Sequence, residues 1–152
     1  GDLTGEIHWG GVGVLNAQQA DPASDLRAGL DVSSDAGATG ELLFLMPMSA
    51  PVKLQSLRLE APSADAAPTR VRLFANQKDL DVDDAAGGVA ATQEFTPSWS
   101  AAQGKDGVAT VLEVNFLKFQ NLAFLAVYLG RTEEEDAEAP IVVRGLRLTG
   151  RN

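Results

Sequence analysis

The hydrophobic positions of this chain follow the two-residue period of β-strands. In residues 69–75, Val71 and Leu73 occupy one face of the predicted strand. Arg70 and Arg72 occupy the other face. The pattern therefore predicts a strand with one apolar face, directed to a core, and one basic face.

The same reading predicts several further strands. Residues 42–46 form a continuous apolar run that Pro47 is expected to end. Residues 52–59 change phase midway, so a bulge near Gln55 and Ser56 is needed to keep both apolar pairs on the core. The remaining predicted strands are Thr110–Phe119, Phe124–Leu129 and Ile141–Thr149. The residues predicted to be buried are Leu57, Leu59, Val71, Leu73 and Leu146, with the phenylalanines Phe44, Phe74, Phe116, Phe119 and Phe124.

Connectors rich in proline, glycine, aspartate and alanine separate these strands, and no segment has a helix-length 3.6-residue pattern. The chain is therefore predicted to be an all-β sandwich forming a single domain over residues 1–152. Short helical turns are predicted at Ser24–Leu30 and at Pro97–Gln103, the second with Thr96 as its N-cap.

Charge and composition narrow the possible partners. The 12 basic and 21 acidic residues give a net charge of −9, which opposes binding to nucleic acid or to anionic lipid. The chain has no cysteine, no apolar run long enough to span a bilayer and no signal-peptide pattern. We expect a monomeric cytoplasmic protein, with the nucleus as a second location. Gly1 stands in place of an initiator methionine, which suggests a trimmed chain.

Four aspartates fall within residues 79–84 and raise the question of a metal site. Asp79, Asp81 and Asp83 match the first ligands of an EF-hand loop. Asp84 stands where the loop requires glycine, and Ala90 where it requires a bidentate glutamate. No metal site is predicted, although a looser calcium site of the kind some β-sandwiches carry stays open as an alternative.

The sequence contains no pattern typical of catalysis. His8 is the only histidine, no serine lies in a nucleophile elbow, and zinc would lack ligands. Gly10–Gly13 lacks the third glycine of a dinucleotide-binding loop. We therefore predict no catalytic residue and no cofactor.

Residues that could contact a partner form three groups. Arg58, Arg70 and Arg72 would form a small basic patch if their strands pair. Trp99 could be a core residue or a binding aromatic. The acids Asp81, Asp83 and Asp84 form the third group. Within it, Leu80 and Val82 are predicted to anchor an extended segment at the sandwich edge, while the aspartates face outwards or cap backbone N–H groups.

Four ordered segments resemble the PITH domain, the proteasome-interacting module of thioredoxin-like proteins. They are PVKLQSLRLEAP (51–62), RVRLFAN (70–76) running into LDVDDA (80–85), LKFQNL (117–122) and GLRLTG (145–150). The resemblance implies a jelly-roll β-sandwich of the galactose-binding type, without enzymatic activity. It also implies a protein partner, the proteasome, and either a stand-alone form or a domain that follows a thioredoxin domain.

Binding of a small ligand is the alternative function. Many galactose-binding-type sandwiches hold a sugar or another small ligand in loops at one end. A hollow close to Trp99 would favour such a ligand, whereas a broad, flat, charged face would favour a protein partner.

Overall fold

The computed structural model describes residues 1–35, 40–104, 106–132, 135–136 and 139–152. The strands are β1 Gly13–Leu15, β2 Val32–Ser33, β3 Leu42–Ala61, β4 Arg70–Ala75, β5 Gln93–Phe95, β6 Ser100–Ala101, β7 Val108–Glu113, β8 Leu122–Gly130, β9 Val142–Val143 and β10 Gly145–Arg151. One α-helix, α1, spans Pro22–Ala28. Short helical turns lie at Thr4–Glu6, Trp9–Gly11, Asp84–Gly88 and Phe116–Phe119.

The long strand β3 belongs to both layers of the sandwich. Its first part pairs with β8 and β1, and β8 continues the layer through β4 to β5. Its second part pairs with β10 on one side and β7 on the other, with β6 at the far edge. All of these pairs are antiparallel, which confirms the predicted all-β fold class.

The predicted bulge lies where the phase of β3 changes. Thr149 pairs with Ser56 and Gly150 pairs with Leu54, so Gln55 has no residue opposite it. A Cβ atom on Gly150 would lie 1.9 Å from the Lys53 carbonyl oxygen. Only glycine fits this close approach, and the two apolar pairs of β3 both reach the core.

The main core lies between the two layers. Leu57, Leu59, Val71, Leu73 and Leu146 are all buried in it, as predicted.

A second, smaller apolar cluster covers the outer face of the β4–β8 layer. Leu80 and Ala85 pack there against Phe74 and Tyr128. Residues 77–91 therefore form a lid over a sheet face that would otherwise be exposed, and this lid carries the acidic cluster.

Helix α1 has conventional ends. The Asp21 carboxylate accepts from the Ser24 amide at 3.3 Å, Pro22 occupies the first turn, and Gly29 closes the helix at φ 76°. The turn predicted over Ser24–Leu30 is thus confirmed, with its start two residues earlier.

Three predicted strand or helix boundaries are wrong. Strand β3 continues past Pro47, because the Pro47 carbonyl accepts from His8 and the missing N–H of proline faces the same side, away from β8. Strand β7 ends at Glu113, since Asn115 caps a turn by accepting from the Leu117 amide at 3.1 Å. Residues 141–149 are split between β9 and β10, which pair with different strands.

The helix predicted over Pro97–Gln103 is also wrong. Residues 100–101 pair with β7 instead, in extended conformation. One predicted core residue is not buried. Phe116 lies on the turn after β7 and is 36% exposed, whereas the other four phenylalanines predicted to be buried are buried. The acidic run Glu133–Asp136, which the sequence indicates is a solvated loop tip, falls partly outside the described residues.

Candidate interaction surfaces

Arg72 fastens the lid to the sheet. Its guanidinium donates from Nη1 to the Ala85 carbonyl at 2.6 Å and from Nη2 to the Val89 carbonyl at 3.1 Å. It also lies 5.4 Å from the centre of the Phe74 ring. Arg72 is only 8% exposed, so it has little surface to offer a partner. Because Arg72 is buried, we assign it a structural role and not a contact with a partner.

Arg70 and Arg72 share one acidic neighbour. Glu94 Oε1 lies 3.1 Å from Arg70 Nε and 2.9 Å from Arg72 Nε, although only the first pair is aligned as a hydrogen bond. Arg70 also lies 5.8 Å from the ring centre of Tyr128, whose hydroxyl donates to Glu41. Burial, reinforced by that hydrogen bond, raises the pKa of Tyr128. These contacts form a polar layer beside the lid, with both arginines already partnered.

The acidic cluster forms the start of a helical turn. The Asp84 amide donates to Asp81 Oδ1 at 2.7 Å, and the Asp81 amide donates to Asp84 Oδ2 at 3.3 Å. This reciprocal capping matches the predicted capping role for two of the acids. Asp83 has helical backbone geometry and is exposed, so the segment is not extended as predicted.

Leu80 provides the predicted anchor of the acidic segment. Its side chain is buried in the second apolar cluster, and Val82 packs against the same cluster. Asp81 and Asp83 are both exposed, and of the two only Asp81 has a carboxylate oxygen that accepts a hydrogen bond in the turn.

Trp99 anchors the connector between β5 and β6. Its indole N–H donates to the Pro68 carbonyl at 2.7 Å, and its ring packs against the main core. Of the two roles that the sequence left open, the geometry favours the structural one.

Arg58 lies in the other layer from Arg70 and Arg72. Strand β4 pairs with β5 and β8, whereas Arg58 lies in the part of β3 that pairs with β10 and β7. The predicted grouping of the three arginines is therefore wrong. The residue directly opposite Arg58 on β10 is Arg147.

An exposed basic face replaces the predicted patch. We define the basic face by the outward residues Lys53 and Arg58 of β3 and Arg147 and Arg151 of β10. Arg58 lies 3.7 Å from Glu60, and Arg147 lies 3.5 Å from Asp2. On the far side of β3, Val111 lies opposite Arg58 and is 52% exposed.

Two hollows adjoin these elements. A trough of about 670 Å³ runs along β6 and β7 and is lined by Arg58, Val111 and Pro97 among others. A cleft of about 520 Å³ lies between α1 and β10, where Arg27 lies 5.8 Å from the ring centre of Trp9. The cleft is lined by Trp9, whereas the trough is the hollow that lies close to Trp99, since Ser98 and Ser100 line it.

The described residues contain no group of three or more His, Cys, Asp or Glu side chains placed to hold a metal ion. Within the same residues, no helix combines the length and apolar character that crossing a membrane requires.

The chain belongs to the PITH domain family. The family profile for the PITH domain matches residues 1–152, the whole chain. A search of curated protein sequences finds no match.

Solved structures with similar folds include carbohydrate-binding modules of the β-sandwich type. The family 32 carbohydrate-binding module of Clostridium perfringens NanJ, solved with galactose, matches with a TM-score of 0.60 and 8% identity over 97% of this chain and 96% of that one. The third such module of a family 31 glycoside hydrolase from the same organism matches with a TM-score of 0.62 and 7% identity over 98% and 97%. The C-terminal domain of a Bacteroides fragilis chitobiase matches with a TM-score of 0.62 and 12% identity over 95% and 91%. At these identities the likeness shows the fold, a galactose-binding-type jelly roll, and confirms that expectation.

Sequence reasoning missed two features of these surfaces. It named Arg58 without Arg147 and Arg151, because only the register of β10 on β3 brings them together. It also gave no role to Asn76, whose Oδ1 accepts from the amides of Ala123 and Phe124 at 2.8 and 3.2 Å. Asn76 has φ 61°, and an asparagine after a strand is a signal for such a turn.

Proposed function

We propose that this chain is a non-catalytic protein-interaction module that associates with the 26S proteasome. The observation that carries the proposal is the match of the PITH domain family to the whole chain. The candidate residues that could have suggested chemistry have structural partners instead: Arg72 holds the lid, and Asp81 and Asp84 cap each other. The domain works in the cytoplasm and the nucleus as a monomer.

The outer surface of the β10–β3–β7 layer supports this function. Apart from the trough along β7, it is an open sheet face with exposed charges and one exposed valine, features that suit contact with a protein better than with a small molecule. Asp83 lies on the lid, at a separate place on the domain, and is not part of this surface.

The test is capture of purified 26S proteasome by the immobilised domain. The NanJ carbohydrate-binding module is a suitable control, because it shares the fold and not the family. We expect the proteasome to bind this domain and not the control. Equal capture by both proteins, or by neither, would contradict the proposal.

A second candidate function is binding of a small polar ligand in the cleft beside Trp9. The cleft combines an aromatic ring with Arg27, Arg144 and Glu60, a set of groups that can contact and hydrogen-bond a sugar. Calorimetric titration with galactose, the ligand of the NanJ module, tests it. Binding that is lost in Trp9→Ala would support this function, and no heat at millimolar galactose would reject galactose as the ligand.

A further inference from the structure

The basic face carries like charges in direct cross-strand register. Lys53 lies opposite Arg151, and Arg58 lies opposite Arg147. Like charges placed directly opposite each other destabilise an antiparallel pair of strands. Two such pairs in a chain of net charge −9 therefore do not serve the stability of the sheet.

The acids on the domain only partly neutralise these pairs. Arg58 and Arg147 have acidic neighbours at 3.7 and 3.5 Å, both long for ion pairs, and their side chains are 40% and 62% exposed. Lys53 and Arg151 are exposed and make no ion pair among the described residues. The pair of Lys53 and Arg151 is therefore the less neutralised of the two.

The face also has a definite spacing. The two cationic rows are four residues apart along β10, which corresponds to about 13 Å. Val111 extends the Arg58–Arg147 row on its far side and leads into the trough along β7. The face thus presents two cationic rows and one apolar position beside one of them, with the exposed acid Glu113 two residues along β7 from Val111.

We propose that the basic face binds an acidic segment of a protein partner, which places carboxylates over the two cationic rows and an apolar side chain against Val111. This proposal rests on the proposed function and names the chemistry of the partner. Charge complementarity selects an acidic occupant. A short acidic peptide segment fits better than nucleic acid or an anionic lipid surface, because it can combine a few carboxylates over the two rows with an apolar side chain at Val111. The much higher charge density of a polyanion is repelled more strongly by a domain of net charge −9.

The test is fluorescence anisotropy with a labelled short peptide of alternating glutamate and leucine. The face variant combines Lys53→Gln with Arg151→Gln. The control combines Lys78→Gln with Lys118→Gln, which changes the net charge equally at two exposed positions outside the basic face. A peptide with glutamine in place of glutamate, an oligothymidylate and phosphatidylserine vesicles are the competing ligands.

We expect the face variant to bind the glutamate–leucine peptide about two- to thirty-fold more weakly at low salt, from two exposed ion pairs of ~0.2–1 kcal/mol each. The difference should shrink at high salt. Val111→Thr should also weaken binding. The face variant should melt at or above the temperature of the parent, because a like-charge pair has been removed.

Several results would overturn the inference. They are no binding of the acidic peptide by the parent, equal binding by parent and face variant, an equal loss in the control, or tighter binding of the oligonucleotide or the vesicles. A concentration-dependent dimer that the face variant abolishes would assign the face to a second copy of this chain. If the proteasome binds the domain and the acidic peptide does not, only this inference fails; in the opposite case, the proposed function fails.

Discussion

Replacing Arg72 with alanine should release the lid from the sheet. The substitution removes two hydrogen bonds from a charged donor to the carbonyls of Ala85 and Val89. Each such bond contributes about 1.5–3 kcal/mol. Since water can reach part of the Val89 site, we expect the free energy of unfolding to fall by about 3–5 kcal/mol, toward the lower end of the sum for two such bonds.

Urea denaturation and hydrogen exchange measure this effect together. The amides of Ala85 and Val89 donate within the helical turn of the lid, to Asp81 and Asp84. Their exchange should accelerate in Arg72→Ala more than that of amides in β7. Arg72→Lys is the matched control: it keeps the charge but cannot reach both carbonyls, so it should lose an intermediate amount.

Two observations made together would contradict this structural role of Arg72. One is a loss of less than about 1 kcal/mol in Arg72→Ala, within the range of an ordinary surface substitution. The other is unchanged exchange at Ala85 and Val89. Arg72 would then be a surface residue free to contact a partner.

Three other perturbations test separate parts of the structure. Asn76→Ala should lower the free energy of unfolding by about 1–3 kcal/mol through its lost hydrogen bonds, and Asn76→Asp, which keeps the acceptor oxygen, should lose less; equal losses in urea titrations would contradict the bonding pattern. The raised pKa of Tyr128 means that its neutral phenol stabilises the fold fully below about pH 10, and that this contribution is lost as the pH rises further, because the unfolded chain ionises first. Denaturant titrations should therefore show a steeper alkaline loss of stability in the parent than in Tyr128→Phe, and parallel losses would count against it. Millimolar calcium should leave the melting temperature unchanged, whereas a rise of several degrees that Asp81→Ala with Asp83→Ala abolishes would establish a calcium site.

The alternation of apolar and polar residues correctly predicted the strands that have a paired strand on each side. The period of two along β4 placed Val71 and Leu73 in the core, and the phase change in β3 located the bulge at Gln55. These features depend on side-chain direction along one strand, which the sequence displays directly.

The predictions from the sequence were wrong or incomplete where a segment distant in sequence packs against or pairs with the residue concerned. Alternation placed Arg72 on the face opposite the core, which is correct, but could not show that residues 77–91 cover that face. In the same way, the pairing of residues 100–101 with β7 overrides the helix signal at Thr96 and Pro97. Register between strands far apart in sequence also created the basic face, so Arg147 and Arg151 could not be predicted as neighbours of Arg58 and Lys53.

Photocrosslinking to purified 26S proteasome would show which surface of the domain lies against a proteasome subunit. A benzophenone amino acid is placed at Val111, beside the basic face, or at Lys78, on the lid, both of which are exposed. The account predicts crosslinks to a proteasome subunit from position 111 that excess unlabelled domain suppresses, and few from position 78. Crosslinks from position 78 alone, or from neither position, would contradict it.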